Sequence, residues 1–274
     1  HLSIRRQRQM CIRDSVCAVR ADRTYTCFPQ PYGMPADLTY VPQTTVLDVA
    51  AHRVGVCVID EGKVPLCGQY SMATIDMTPP AGERLKRISV GGRFACGVRS
   101  TDGSAICWGD PGNEGECAGT PAVGQLDAPA GSFQDIWSGG LTTCAIDDAG
   151  TLTCWGAGQT GDDPTVLCDG FQIHFGQGTP PDGSFVAVDV DYNHTCAIRS
   201  DGTLACWGAG TTDSCTLETD WNCRQSLPPD GVFVSVATGR THSCAMTADH
   251  KVKCWGNDGE GELGGRTMPP AVFQ

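Results

Sequence analysis

One unit dominates this sequence and limits what it can fold into. Residues 185–208 read FVAVDVDYNHTCAIRSDGTLACWG, and close copies run along almost the whole chain. They are LKRISVGGRFACGVRSTDGSAICWG at 85–109, FQDIWSGGLTTCAIDDAGTLTCWG at 133–156 and FVSVATGRTHSCAMTADHKVKCWG at 233–256. VLDVAAHRVGVCVIDEGKVPLCG at 46–68 departs further, and CAVRADRTYTC at 17–27 is degenerate. A repeat of 40 to 52 residues with short alternating segments and Gly-rich turns indicates an all-β propeller rather than a helical solenoid. The blades are expected to have three or four strands, with six repeat cores visible.

The units run over about 16–43, 44–83, 84–131, 132–183, 184–231 and 232–271, and Val272-Phe273-Gln274 starts another. Residues 16–274 therefore read as a single propeller domain, a fragment of a larger propeller. Pro-Pro-Asp-Gly at 180–183 and 228–231 marks the link into the next unit.

The hairpin register follows from turn chemistry. Arg199-Ser200-Asp201-Gly202 suits a type I turn followed by a left-handed glycine, a three-residue loop with a G1 bulge. That loop sets Arg199 opposite Thr203 and therefore Cys196 opposite Cys206, close enough for a disulfide. In the 85–109 copy the loop is one residue longer and its cysteines are one residue further apart, as a cross-strand bridge requires. Six pairs result: Cys17–Cys27, Cys57–Cys67, Cys96–Cys107, Cys144–Cys154, Cys196–Cys206 and Cys244–Cys254. Each closes about 11 residues, worth about 2–3 kcal/mol in the chain-entropy model. Of the rest, Cys215 pairs with Cys223 in one insertion and Cys117 with Cys168 across two, with Cys168–Cys215 the open rival.

Seventeen cysteines imply an oxidising compartment or metal, and the absence of any C-x-x-C removes the usual zinc-ribbon pattern. The protein is expected to be extracellular, periplasmic or at the cell surface. A net charge of −12 argues against nucleic acid or an anionic membrane as partner. No apolar run is long enough to span a bilayer, so this fragment is expected not to insert.

Residues 5–15, RRQRQMCIRDS, resemble the translation of a transposase sequencing adaptor, and residues 1–15 are read as non-native on that ground. Setting them aside leaves 15 basic and 30 acidic residues and sixteen cysteines, an even number.

The pattern Phe/Val-x-x-Val…Gly-x-x-His-x-Cys-Ala…Asp-Gly…Cys-Trp-Gly resembles the regulator-of-chromosome-condensation repeat. It is most similar to the cysteine-paired variant of secreted bacterial propellers and Crinkly-type plant receptor ectodomains. The resemblance covers about residues 16–274 and implies a seven-bladed propeller. Cys67 lacks the following Trp, and Phe28-Pro29 replaces Trp-Gly in the first copy. Functions in the family range from nucleotide exchange on a small GTPase in the nucleus to inhibition of a β-lactamase by a secreted member. Disulfides and an acidic chain fit the nuclear role badly.

No nucleophile elbow, P-loop, HExxH or dinucleotide fingerprint occurs, so no catalytic residue, cofactor or metal is assigned. Trp108, Trp155, Trp207 and Trp255 are expected to pack between blades with their indole N–H groups on backbone. His194 and His242 share one repeat position; a metal ring is conceivable, but satisfaction of turn backbone groups is the simpler reading, since Phe94 and Thr142 stand there in other copies. Asp258, Glu260 and Glu262 lack the ligand order of a calcium loop. Asn193-His194-Thr195 forms a glycosylation sequon.

The insertions after Cys-Trp-Gly differ from copy to copy. Loops of that kind on a rigid scaffold carry binding. Asp162, Asp163, Phe171, His174, Phe175, Asp220 and Trp221 are the candidate contacts for an unidentified protein partner. The function expected is non-enzymatic binding. The alternatives are a propeller hydrolase or lyase on cell-wall or polysaccharide substrates, and the ectodomain of a membrane receptor.

Overall fold

The computed structural model describes residues 16–20, 22–28, 45–52, 55–69, 76–110, 123–163, 167–168, 171–212 and 223–257. The repeats become a series of antiparallel sheets. The first described sheet pairs β1 (Val16–Val19) with β2 (Tyr25–Phe28). Five three-stranded blades follow in chain order. They are β3 (Val46–His52), β4 (Gly55–Asp60) and β5 (Pro65–Gln69); then β6 (Leu85–Val90), β7 (Phe94–Arg99) and β8 (Ala105–Gly109). The third comprises β9 (Phe133–Gly139), β10 (Thr142–Asp147) and β11 (Leu152–Gly156). A two-stranded hairpin, β12 (Leu167–Cys168) with β13 (Phe171–Gln172), intervenes. The fourth comprises β14 (Phe185–Val190), β15 (His194–Arg199) and β16 (Leu204–Gly208), and the fifth β17 (Ser235–Thr238), β18 (His242–Met246) and β19 (Val252–Gly256). Among the described residues there is no helix. The fold is a β-propeller, and five of its sheets have three strands each among the described residues.

Each blade runs first strand, middle strand, outer strand, and the first strands of successive blades neighbour one another. The chain therefore steps around an axis lined by β3, β6, β9, β14 and β17. An inner strand has one free edge, and free edges invite unwanted pairing. Side chains from the preceding blade cover them: Ser138 N–H donates to Ser89 Oγ (2.8 Å) and Thr238 N–H to Asp189 Oδ2 (2.7 Å). Asp48 Oδ2 accepts from Ile88 N–H at 3.2 Å.

The core lies between blades rather than at one centre. Ile59, Leu85 and Trp108 meet in one interface, and Phe94, Phe133 and Trp155 in the next. Ile146, Phe185 and Trp207 fill the third, and Phe233, Ala245 and Trp255 the fourth.

Five hairpin disulfides join opposed residues with Cα separations of 4.0–4.1 Å: Cys57–Cys67, Cys96–Cys107, Cys144–Cys154, Cys196–Cys206 and Cys244–Cys254. Cys17 is also disulfide-bonded and lies directly across from Cys27. The turns explain the register. Gly202 N–H closes on Arg199 O (2.9 Å), and Arg199 N–H bonds Thr203 O (2.8 Å). Asp201 adds a clamp, accepting from both the backbone and the hydroxyl of Thr203 at 2.9 and 2.7 Å.

The left-handed residue of each turn has a second task. Its carbonyl accepts the N–H of the first residue of the next blade: Phe133 on Gly103, Phe185 on Gly150 and Phe233 on Gly202, at 2.8–2.9 Å. Leu85 on Lys63 and Val46 on Arg23 repeat the contact at 2.8 Å. Gly202 has φ +85°, and a Cβ there would lie 2.5 Å from Val232 Cγ1. Arg23, Lys63 and His250 hold the same left-handed conformation, φ 62–64°, without being glycine.

Candidate functional site

The two ends of the propeller are built differently. At the hairpin end lie the turns just described and the links into the next blade. At the opposite end the first strands hand over to the middle strands, and the outer strands release the chain into the insertions. The glycine after each Trp makes that exit possible. Gly109, Gly156, Gly208 and Gly256 have φ between +92° and +122°, and a Cβ on any of them would come within 2.2–2.7 Å of the carbonyl of Arg93, Leu141, Asn193 or Thr241. The next residue then donates to that same carbonyl, as Ala157 N–H does to Leu141 O (3.0 Å) and Ala209 N–H to Asn193 O (2.8 Å).

The insertion from Ala157 to Gln177 is bolted down. Asp162 Oδ2 sits 2.7 Å from His174 Nδ1 and accepts Gln159 N–H at 2.7 Å. Gly158 N lies 3.0 Å from the same Nδ1. Gln172 Nε2 donates to His174 O at 2.7 Å. Gln177 closes the loop: its Oε1 accepts Phe175 N–H (2.8 Å) and its Nε2 donates to Ile173 O (2.7 Å). Its own carbonyl receives Trp207 Nε1 (2.8 Å) and Thr195 Oγ1 (3.0 Å) from the blade that follows.

Among the sequence candidates, the structure therefore brings Asp162 and His174 together. The imidazole is buried and engaged with the loop, so the pair acts as a staple within the insertion. Asp163 is exposed and Phe175 half-buried. Phe171 stands in β13, opposite Cys168 of β12. Asp220 and Trp221 lie outside the described residues, as do Cys117, Cys215 and the acidic run Asp258, Glu260 and Glu262. Cys223 is buried and disulfide-bonded.

The histidines differ in detail from their sequence reading. His194 opens β15 and is fully buried. Its Nε2 reaches not turn backbone but Ser243 Oγ of the next blade, at 2.7 Å. Ser243 Oγ in turn donates to Gln225 O (3.3 Å), which leaves its lone pair for an Nε2–H and fixes the neutral tautomer. Burial, with the neighbouring His242, pushes the His194 pKa down to about 3. Asn193 is buried at 4% exposure, so the sequon is closed to glycosylation in the folded chain.

Trp108, Trp207 and Trp255 donate their indole N–H to Met77 O, Gln177 O and Gln225 O at 2.8–3.0 Å. Trp155 departs from the expectation: its Nε1 is buried without a hydrogen-bond partner. In its blade the link has Ala128 where the later two have Pro180 and Pro228, and Ala128 N–H folds onto Leu126 O, a contact proline cannot make.

The sequence reading missed the glutamines. Gln125, Gln177 and Gln225 are buried and stand eight residues before Phe133, Phe185 and Phe233; that constant spacing was the available signal. Each Oε1 accepts the N–H two residues upstream, at 2.6–3.1 Å.

Near the axis at the insertion end the strand-to-strand loops close on one another. Gly92 N–H donates to Gly140 O (2.7 Å), and the Tyr192 ring lies 6.0 Å from the His52 ring across the axis. Exposed Arg240 covers Tyr192 at 5.7 Å.

Blades of this sequence pattern, stapled, latched and carrying individual insertions, define a repeat β-propeller. The family model for the Regulator of chromosome condensation (RCC1) repeat matches residues 185–212 and 233–262. Its last two described blades thus carry sequence of the RCC1 repeat, on a β-propeller fold. The ectodomain of the Physcomitrella patens receptor kinase CR4 superposes with a TM-score of 0.64 at 20% identity; the match covers 89% of this chain and 60% of that one. The CRINKLY ectodomain of the Arabidopsis thaliana receptor kinase ACR4 gives 0.61 at 21% identity, covering 88% and 76%. Saccharomyces cerevisiae Prp20p, described with binding to Gsp1p and histones, gives 0.56 at 16% identity, covering 89% and 66%. This chain thus spans less than two thirds of the Physcomitrella ectodomain.

Proposed function

We propose that this propeller is a non-enzymatic, extracellular or periplasmic protein-binding scaffold whose contact surface is the insertion end. One observation carries the reading: the Ala157–Gln177 insertion is individual to its blade, yet its described ends, 158–162 and 172–177, are tied by Asp162, His174 and Gln177. A preorganised loop loses less conformational freedom on binding than a floppy one. The disulfide density supports an oxidising location. Full-chain variants Asp163→Ala, Phe175→Ala, Asp220→Ala and Trp221→Ala, titrated against a partner recovered by cross-linking, test it. At least one is expected to weaken binding tenfold or more; four affinities within twofold of the parent would overturn it. Asp162 and His174 are left intact because they shape the loop.

A second reading, the ectodomain of a membrane receptor, draws on the fold shared with two receptor-kinase ectodomains. A membrane span encoded downstream in the complete gene would favour it.

A further inference from the structure

The large apolar side chains exposed among the described residues are Val19, Leu47, Val186, Leu227, Val232, Val234 and Val252. All but Leu227 sit at the hairpin end, opposite the insertions. Val252 belongs to the flank of its blade: Leu152 and Leu204, at the same register position, pack beneath the following blade. Val186, Val232 and Val234 have no such explanation. They are 62%, 62% and 55% exposed.

The repeats supply the control. Four of the five three-stranded blades shift register just inside their first strand: Val186 is skipped between the Phe185–Arg199 and Ala187–Ile198 pairs, as Leu47, Lys86 and Gln134 are in theirs, and Val234 follows Phe233 at the same repeat position of the fifth. A bulge of this kind re-aims one side chain away from the sheet. Lys86 and Gln134 show that the backbone is satisfied with a polar residue there. The position before the first strand carries Arg84, Ser132 and Ser184 in earlier blades and Val232 only in the last. Leu227 repeats the departure, standing where Asp127 and Thr179 stand in the two preceding links. The fold does not ask for these apolar residues, and they gather on the last two described blades.

Charge says what covers them. Asp182 and Asp230 are exposed at equivalent points of the two links that flank the patch. The nearby cations are held against their own blades: Arg199 lies over Phe185 at 5.0 Å and donates to Asp182 O, and exposed Lys253 lies over Phe233 at 5.5 Å and donates to Asp230 O. A second copy of this acidic chain would set carboxylate against carboxylate, and an anionic lipid surface would be repelled.

We propose that Val186, Val232 and Val234, flanked by Asp182 and Asp230, form a second docking surface that takes a protein segment with alternating apolar and basic side chains. The probe is a fluorescent peptide alternating Leu and Lys, titrated into the full chain, beside a Ser-Lys and a Leu-Glu peptide of equal length. The variant combines Val186→Gln, Val232→Ser and Val234→Gln, residues that the other blades already use. The Leu-Lys peptide is expected to bind the parent at least tenfold more tightly than the triple variant and than either control peptide binds the parent. Equal binding of the Ser-Lys peptide, equal binding by the variant, or no binding at all would overturn the proposal. So would a dimer of the parent in sedimentation that the variant abolishes, since it would put a second copy on the patch.

Discussion

The hairpin end and the insertion end of this propeller are made of the same chain read in opposite ways. At the hairpin end, blade after blade uses one device: a left-handed turn residue whose carbonyl catches the next blade, an Asp clamp and a disulfide. At the insertion end only the Trp-Gly exit and the buried glutamine repeat, and what lies between is individual. Repetition marks what holds the blades together. Departure from repetition marks residues the fold leaves free, and it occurs at both ends: in the insertion at 157–177, and in the valines of the last two blades.

Damaging the repeated device should cost most. Gly202→Ala combines a positive φ with a Cβ against Val232, and we expect a loss of about 2–4 kcal/mol. Urea unfolding with an unchanged m-value would show it.

Acid should come next, because it acts on a buried group of the blade interface. The folded pKa of His194 is about 3 against an ordinary 6.5, so the unfolded chain binds the proton that the folded chain refuses. Stability is full above about pH 6.5 and falls as the pH drops toward 3, by on the order of a few kcal/mol. His194→Phe, the residue of the equivalent Phe94, is expected to flatten that fall in a pH series of unfolding midpoints; an unchanged slope would assign it elsewhere. The turn carboxylates act lower on the scale. Hydrogen bonds from Thr24, Ser104 and Thr203 hold Asp22, Asp102 and Asp201 below the usual carboxylate range, so their contribution fades only as the pH falls beneath about 3.8.

A cut at the insertion end should be local. Asp162→Asn weakens the contact with His174 while leaving every blade intact, and we expect an unfolding midpoint within about 0.5 kcal/mol of the parent. Hydrogen exchange should quicken across 158–175 alone. If it quickened across β14 to β16 as well, the insertion would be part of the blade.

The smallest effect has the opposite sign. His250 holds φ +62° where three other blades have glycine, so His250→Gly should stabilise by up to about 1 kcal/mol.

The sequence carried the architecture because its signals were local and repeated. Asp201-Gly202 dictates a turn, the turn dictates a register, and the register dictates which cysteines meet. The single additional loop residue of the 85–109 copy obeys the same logic, since Cys96 and Cys107 stand one residue further apart and still meet. What one blade does to the next was harder to read. No pattern within a repeat says that the Gly202 carbonyl receives Phe233, that His194 reaches Ser243, or that Trp155 lacks the acceptor its counterparts have. The insertion was legible in composition only. Asp162 and His174 looked like contact residues and turned out to bond each other, because twelve positions apart in sequence means little once β12 and β13 fold the chain back.

One paired measurement tests the central claim, that repeated residues build the propeller and departing ones are free to bind. Urea unfolding of the triple variant Val186→Gln, Val232→Ser, Val234→Gln is compared with that of Gly202→Ala. The account predicts a triple variant within about 0.5 kcal/mol of the parent beside a clear loss for Gly202→Ala. A triple variant that loses as much as Gly202→Ala would contradict it, because the exposed valines would then belong to the scaffold.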